Sequence, residues 1–309
     1  MLYALSLNPS LDKTVSLPRF DPDAPNRVQV ERLDVGGKGV NAARVIRALG
    51  GEGTLVGFDY RGRPVAQAME REGVPAALIP LDGEMRVNMK LRETETGRTL
   101  EINEKGPSVT GDDLRRVRDA LLERVRPGDW VSLSGSMPPG APAETYAALC
   151  ALLAEKGCFA AADCDGPALQ AAIQARPALI KPNAQEFSAL TGADADNQRE
   201  TASACMELIE KGVRNICLSL GPKGAMLANA QGVWMCPAAD VPVRGTQGAG
   251  DSMLGALLLA FERKMNPEEA LRFASAAAAA SIMRPGTLLC QREDAEALLK
   301  ALPKAEKVY

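Results

Sequence analysis

Gly248-Ala249-Gly250-Asp251 stands directly before the apolar run Ser252-Met253-Leu254-Gly255-Ala256-Leu257-Leu258-Leu259. Small residues at a helix start let several backbone N–H groups point into one space, and the helix end adds a partial positive charge. Such a place suits the oxygens of a phosphoryl group in transfer, and Asp251 beside it can take the proton of an attacking hydroxyl. A tight turn with Asp251 as its cap explains the same four residues. Gly36-Gly37-Lys38-Gly39-Val40-Asn41 leads into a helical pattern through Leu49, so its N–H groups and Lys38 can hold ligand oxygens. Lys38 can equally be a solvated lysine at a helix start. Lys181-Pro182-Asn183-Ala184-Gln185-Glu186 follows a strand pattern and opens a helix, with Asn183 and Glu186 on one face of the first turn. Their oxygens suit Mg2+, often through its waters, although in isolation the pair reads first as a helix cap. Ser219-Leu220-Gly221-Pro222-Lys223-Gly224 closes another strand and can pass close to a nucleotide or simply turn the chain.

Other chemistries are excluded by what the chain lacks. It contains no histidine, which removes Ser-His-Asp hydrolases, Cys-His proteases and histidine-ligated zinc sites. Proton transfer must then rest on Asp, Glu, Lys, Tyr or Cys. Gly248-x-Gly250 has Met253 where the dinucleotide fingerprint needs its third glycine. Gly36 to Lys38 is no Walker loop, because Arg32 replaces its first glycine and Gly39 follows the lysine. A formal net charge of −3 argues against a nucleic-acid binder. Cys150, Cys158, Cys164, Cys205, Cys217, Cys236 and Cys290 form no Cys-x-x-Cys pair and read as reduced thiols of a cytoplasmic protein. No run of 18 apolar residues occurs, and the first residues lack the basic region of a signal peptide.

The elements that must position these segments alternate. Strand patterns fall at Leu2–Leu7, Thr54–Phe58, Trp130–Leu133, Phe159–Asp163, Ala178–Lys181 and Asn215–Leu220. Helical patterns lie near 38–49, 62–72, 112–125, 142–156, 198–212, 251–264 and 267–283. The alternation predicts an α/β fold with a parallel sheet covered by helices on both faces, in one domain spanning 1–309. Asn266-Pro267-Glu268-Glu269 supplies a cap, an N1 proline and first-turn acids for the last of these helices. Its alanine-rich body predicts close packing on the preceding helix or on a flat ligand.

Residues 12–34 and 84–104 break the rhythm and read as strands and turns alone. Arg86, Asn88 and Lys90 share one face of a strand, Glu95–Arg98 turns the chain, and Glu101 with Asn103 share one face of the next strand. Either this is a solvated polar face, or it is a small β-lid closing over a charged substrate. The open edge of such a lid predicts pairing with a second subunit, a homodimer through the lid.

In this order the segments resemble the ribokinase-like, phosphofructokinase-B family of carbohydrate kinases over nearly the whole chain. The resemblance includes Leu7-Asn8-Pro9-Ser10-Leu11-Asp12 and Leu133-Ser134-Gly135-Ser136-Met137-Pro138-Pro139-Gly140 besides the runs above. With Asn103-Glu104-Lys105-Gly106-Pro107 it is similar to the branch of 1-phosphofructokinases and tagatose-6-phosphate kinases. It implies a ribokinase-like three-layer fold with a small β-lid, and a soluble enzyme using ATP and Mg2+. Asp251 is then the base and residues 248–250 the anion hole. Lys181, Asn183, Glu186, Ser219, Gly221 and Gly224 serve the nucleotide, with Glu186 supporting Mg2+. Asp12, Gly37, Lys38 and Asn41 hold the sugar.

The lid cations Arg86 and Lys90, with Lys38 and Arg27, suit a sugar that already carries a phosphate. Asn103, where tagatose kinases tend towards glutamate, points to fructose 1-phosphate phosphorylated at its 6-hydroxyl. Tagatose-6-phosphate kinase and 6-phosphofructokinase are the near alternatives, and a catalytically silent sugar-phosphate sensor is one of another class. Two positions depart from the family pattern. Gln247 stands before the anion hole where a smaller or β-branched residue is usual, and Asp163-Cys164-Asp165-Gly166 lacks the usual hydroxyls.

Overall fold

The computed structural model describes residues 1–309. In chain order its strands are β1 (Leu2–Ser6), β2 (Ser10–Leu17), β3 (Gln29–Gly36), β4 (Gly53–Asp59), β5 (Ala76–Pro80), β6 (Arg86–Glu93), β7 (Thr99–Asn103), β8 (Trp130–Ser134), β9 (Phe159–Asp163), β10 (Leu179–Ile180), β11 (Asn215–Ser219), β12 (Ala225–Asn229), β13 (Gly232–Cys236) and β14 (Glu306–Lys307). The helices are α1 (Lys38–Ala48), α2 (Pro64–Glu72), α3 (Gly111–Leu122), α4 (Thr145–Glu155), α5 (Gly166–Gln174), α6 (Ala184–Thr191), α7 (Gln198–Glu210), α8 (Ala249–Glu262), α9 (Pro267–Ile282) and α10 (Arg292–Ala301).

Ten strands form one sheet in the order β14-β13-β12-β11-β10-β9-β8-β1-β4-β5. It is parallel from β5 to β11 and antiparallel beyond. β1 lies between β8 and β4 and all five of its residues are buried. A strand covered on both faces must be apolar throughout, which is why Leu2-Tyr3-Ala4-Leu5 shows no alternation. One hydrophobic core of 81 residues runs through the sheet and its covering helices.

The other sheet is small, in the order β3-β2-β6-β7. β6 and β7 form the hairpin expected over 86–103, with Asn88 opposite Asn103 and Lys90 opposite Glu101. β2 and β6 run parallel, which sets Asp12 opposite Asn88. Its own buried apolar cluster is only Val15, Leu17 and Leu91.

Two helix starts carry the motif residues. α1 begins against the end of β1, where a Cβ on Gly39 would lie 2.4 Å from the Leu5 carbonyl oxygen, so only glycine admits this approach. α8 begins after Gly248, whose φ of 72° is left-handed and suits glycine. From Asp251 to Ala260 every residue of α8 is buried, because α1 and α9 pack on either side of it. Ala276, Ala277 and Ala280 of α9 are fully buried, so the small-residue helix packs on α8 as one of the two expected readings has it. Asn266 and Glu269 form a reciprocal cap at the start of α9. All seven cysteines are buried and unpaired.

Candidate active site

Parallel register brings the carboxyl ends of β1, β8 and β9 level, with Ser6 opposite Ser134 and Ser134 opposite Asp163. Ligands of open parallel sheets collect at such ends. A cleft of about 840 Å³ opens there. Gly37, Lys38 and Asn41 of the α1 start line it, as do Gly248 and Asp251 of the α8 start. The small sheet supplies the facing wall with Asp12, Arg86, Asn88, Lys90, Glu101 and Asn103. A second cavity of about 450 Å³, behind the small sheet between Phe20, Leu91 and Leu100, holds none of the candidate residues.

The sheet-end wall is a closed charge network. Asp163, 1% exposed, meets Lys38 Nζ at 2.8 Å and Lys181 Nζ at 3.2 Å. Burial opposes its charge, but the two ammonium groups prevail and hold it below the usual carboxylate range. Burial also opposes the Lys38 charge, yet Asp163 raises this lysine above its ordinary value. Lys181 stands beside the first turn of α8, where a Cβ on Gly250 would lie 3.2 Å from its Nζ. Gly250 therefore leaves space at a point where amides and an ammonium converge.

Asp251 sits above this network. Asn41 Nδ2 donates to its Oδ2 at 2.7 Å, while Asn41 Oδ1 faces Arg44 at 3.5 Å. Burial first, then the charge of Asp163, push the Asp251 carboxyl up to about 6. The Asn41 hydrogen bond, Lys38 and Lys181 restrain the rise. A carboxylate of this kind is deprotonated at neutral pH and basic enough to take a proton from a hydroxyl as a bond forms.

The facing wall differs from expectation at two cations, Arg86 and Arg27. Arg86 and Lys90 are expected as a pair of open cations, but Arg86 donates to the carbonyls of Asn8 and Glu104, each at 3.2 Å, and to Asn88 at 3.3 Å. Its guanidinium anchors the start of the 104–107 loop. Lys90 makes no hydrogen bond or ion pair, and burial lowers its pKa against the pull of Asp12 and Glu101. Asp12 accepts from Ser10 at 2.9 Å and from Asn88 at 3.1 Å. Arg27 is exposed and outside the cleft. Lys105 lines it, a residue the sequence offers only within Asn103-Glu104-Lys105-Gly106-Pro107.

The remaining candidates lie outside this cleft. Asn183 bridges to Ser219, so the starts of α6 and the Ser219–Gly224 turn are neighbours. Asn183 and Glu186 form a reciprocal cap, Glu186 Oε2 accepting from Asn183 N at 2.8 Å and Asn183 Oδ1 from Glu186 N at 2.9 Å. This is the helix cap the pair suggests in isolation, and it leaves Glu186 Oε1 without a protein partner. Lys181 links this side to the cleft through Asp163. Asp163 itself is the member that residue types alone did not single out. Its signal is a carboxylate ending an otherwise apolar strand, Phe159-Ala160-Ala161-Ala162-Asp163.

Residues 6–294 match the pfkB family carbohydrate kinase. The chain belongs to that family. It is thus a sugar kinase, a phosphotransferase with an alcohol group as acceptor, on the α/β fold of this family. A 1-phosphofructokinase of Rhodobacter capsulatus is 35% identical over 279 residues, 89% of this chain and 88% of that one. The ATP-dependent 6-phosphofructokinase isozyme 2 of Escherichia coli is 30% identical over 307 residues, 98% of this chain and 99% of that one. Among solved structures, phosphofructokinase-2 from Escherichia coli in complex with substrates and products superposes with a TM-score of 0.92 at 29% identity, covering 97% and 99% of the two chains. No helix of this family member is long and apolar enough to cross a membrane.

Proposed function

We propose that the enzyme transfers the γ-phosphoryl group of ATP to the 6-hydroxyl of fructose 1-phosphate. One observation carries the reading: a buried carboxylate, Asp251, pushed up to about 6, lines a cleft whose opposite wall presents an unpaired cation, Lys90. A base on one wall and a cation on the other suit a substrate that carries both a hydroxyl and a phosphate.

Asp251 Oδ2 is held by Asn41, so Oδ1 accepts the proton of the sugar hydroxyl. The phosphoryl group in flight carries its charge on three oxygens, and protein catalysis of its transfer is mainly positioning and charge neutralisation. The amides of Gly248, Ala249 and Gly250, at the positive end of α8, and the Lys181 ammonium meet those oxygens. Asp163 keeps Lys38 and Lys181 in place, and Lys38 lies between the sugar and the phosphoryl path. Asp12, Gly37, Asn88 and Asn103 hold the sugar hydroxyls, while Asn183, Ser219, Gly221 and Gly224 line the nucleotide side.

Mg2+ would neutralise the nucleotide phosphates. Glu186 fits a metal carried on waters, since one of its oxygens is free and no group of three metal-ligating side chains is present to cage a bare ion. We further propose that 1–309 work as one unit, with the small sheet (about 12–34 and 84–104) as a lid. Strand alternation puts Val30, Leu33, Leu100 and Ile102 on its face away from the cleft, each about half exposed, a surface suited to a second copy of this chain. Unpaired thiols suit a cytoplasmic setting.

Comparing kcat/KM for fructose 1-phosphate, fructose 6-phosphate, tagatose 6-phosphate and ribose with ATP tests the substrate. Fructose 1-phosphate is expected to lead; ribose in first place would end the lid-cation reading. The similarity to a 6-phosphofructokinase over 98% of the chain favours fructose 6-phosphate as second reading. Binding of a sugar phosphate without any ADP formation would instead leave a catalytically silent sensor.

A further inference from the structure

Gln247 precedes the left-handed Gly248 at the start of α8, and its side chain spans the mouth of the cleft. Its Nε2 donates to Oε1 of Glu101 on β7 at 3.0 Å. A second bond ties the opposite side of the lid, from Thr287 Oγ1 to Asp34 Oδ2 on β3 at 2.7 Å. β3 and β7 are the two edge strands of the small sheet, so the lid is fastened to the body at both edges. The two body anchors belong to one packed unit. A Cβ on Gly248 would touch Leu289 at 2.5 Å, and Gly245 N donates to Ile282 O at 3.2 Å.

Glu101 stands opposite Lys90 in the β6–β7 ladder. A continuous series therefore runs from the unpaired cation of the lid, through Glu101 and Gln247, to the first amide of the anion hole. We propose that Gln247 is a positioning residue for the kinase reaction. Its amide latches the lid, through Glu101, onto the loop that begins α8, so that seating the sugar phosphate and ordering the 248–250 amides become one event. An apolar side chain at this position has no donor to make this bond. The inference rests on the kinase reading above.

A hydrogen bond to a carboxylate near solvent is a modest interaction, so its loss shows as a roughly five- to tenfold change. Gln247→Met is expected to raise KM for the sugar phosphate by about that factor, with KM for ATP unchanged and a larger share of ATP hydrolysed without transfer. Gln247→Glu sets two carboxylates against each other and is expected to raise that KM about tenfold or more. Glu101→Gln keeps an acceptor and has a smaller effect. The double variant Gln247→Glu with Glu101→Gln exchanges donor and acceptor, and it should return KM to within about twofold of Glu101→Gln alone. A merely structural Gln247 would shift melting temperature and kcat without that rescue. Wild-type KM in Gln247→Glu, or a double variant whose defect is the product of the single ones, overturns the latch. A wild type that forms no ADP with any sugar phosphate overturns the kinase reading itself.

Discussion

The two walls of the cleft are built differently. On the body side Asp163, Lys38, Lys181, Asp251 and Asn41 are each engaged with another of the group, at strand ends and helix starts that share an 81-residue core. On the lid side the buried apolar cluster is three residues, Lys90 has no partner, and large apolar side chains face outward. Charges that stabilise a phosphoryl group act best when nothing must reorganise during the reaction, so they belong on the rigid wall. Recognition tolerates a less rigid wall, and a sheet with little core of its own has few buried contacts to hold it in place.

Removing the proposed base, Asp251, should separate activity from stability most sharply. Asp251→Asn is expected to lower kcat by roughly 10²–10⁴ in an ADP-release assay. The same variant should be more stable at pH 7. Folding raises the Asp251 pKa from 3.8 to about 6, so its stabilising contribution is full below about pH 4 and lost as pH rises through 6. That loss is on the order of 2–3 kcal/mol, which the neutral asparagine avoids. Wild-type turnover in this variant would place the chemistry elsewhere.

Asp163→Asn tests the same wall with the opposite sign. It leaves two lysines facing each other, one of them buried, and should destabilise by about 3 kcal/mol in urea melts, the low end for a broken buried pair because Lys38 is 36% exposed. Its carboxyl is held below the usual range, so the wild-type contribution is present above about pH 4 and disappears below it. Equal stability of variant and wild type at pH 7 would show that this wall is not preorganised by charge.

Lys90→Met should spare the fold and strike recognition. About 10- to 100-fold of kcat/KM for the sugar phosphate is expected to disappear, mainly in KM, with melting unchanged. A pH–rate profile sharpens the contrast further. With a base near 6, kcat should rise roughly tenfold from pH 5 to 7 and level off above. The smallest effect on the body should come from Leu33→Asp or Ile102→Asp on the outer lid face. Light scattering should then report monomer, while the body's unfolding midpoint stays within about 0.5 kcal/mol of wild type.

Much of the large sheet was legible. Phe159–Asp163 is a strand as expected, and Thr54–Phe58 and Asn215–Leu220 differ from the observed strands by a residue or so, because runs of buried apolar residues leave little choice. The β12–β13 hairpin escaped, since Ala225–Asn229 and Gly232–Cys236 contain few β-branched residues and hold their place by pairing with β11. Ala178–Lys181 shrinks to Leu179–Ile180, with Lys181 turned to ionic contact with Asp163. The C-terminal helix α10 carries little signal in the sequence, because its short apolar face gains its meaning only against α9.

Sequence alone sets the repertoire of this enzyme: no histidine, an acidic residue at a glycine-rich helix start, and polar residues alternating on a hairpin. Those are local facts, carried by residue type and a spacing of a few positions. Which charges are committed and which remain free was decided by tertiary structure. Asn41 reaches Asp251 across 210 residues and Lys38 reaches Asp163 across 125, while Arg86 is consumed by carbonyls and Lys90 is left open. Burial and distant partners set the energy of a charge, and neither is written in the neighbouring residues.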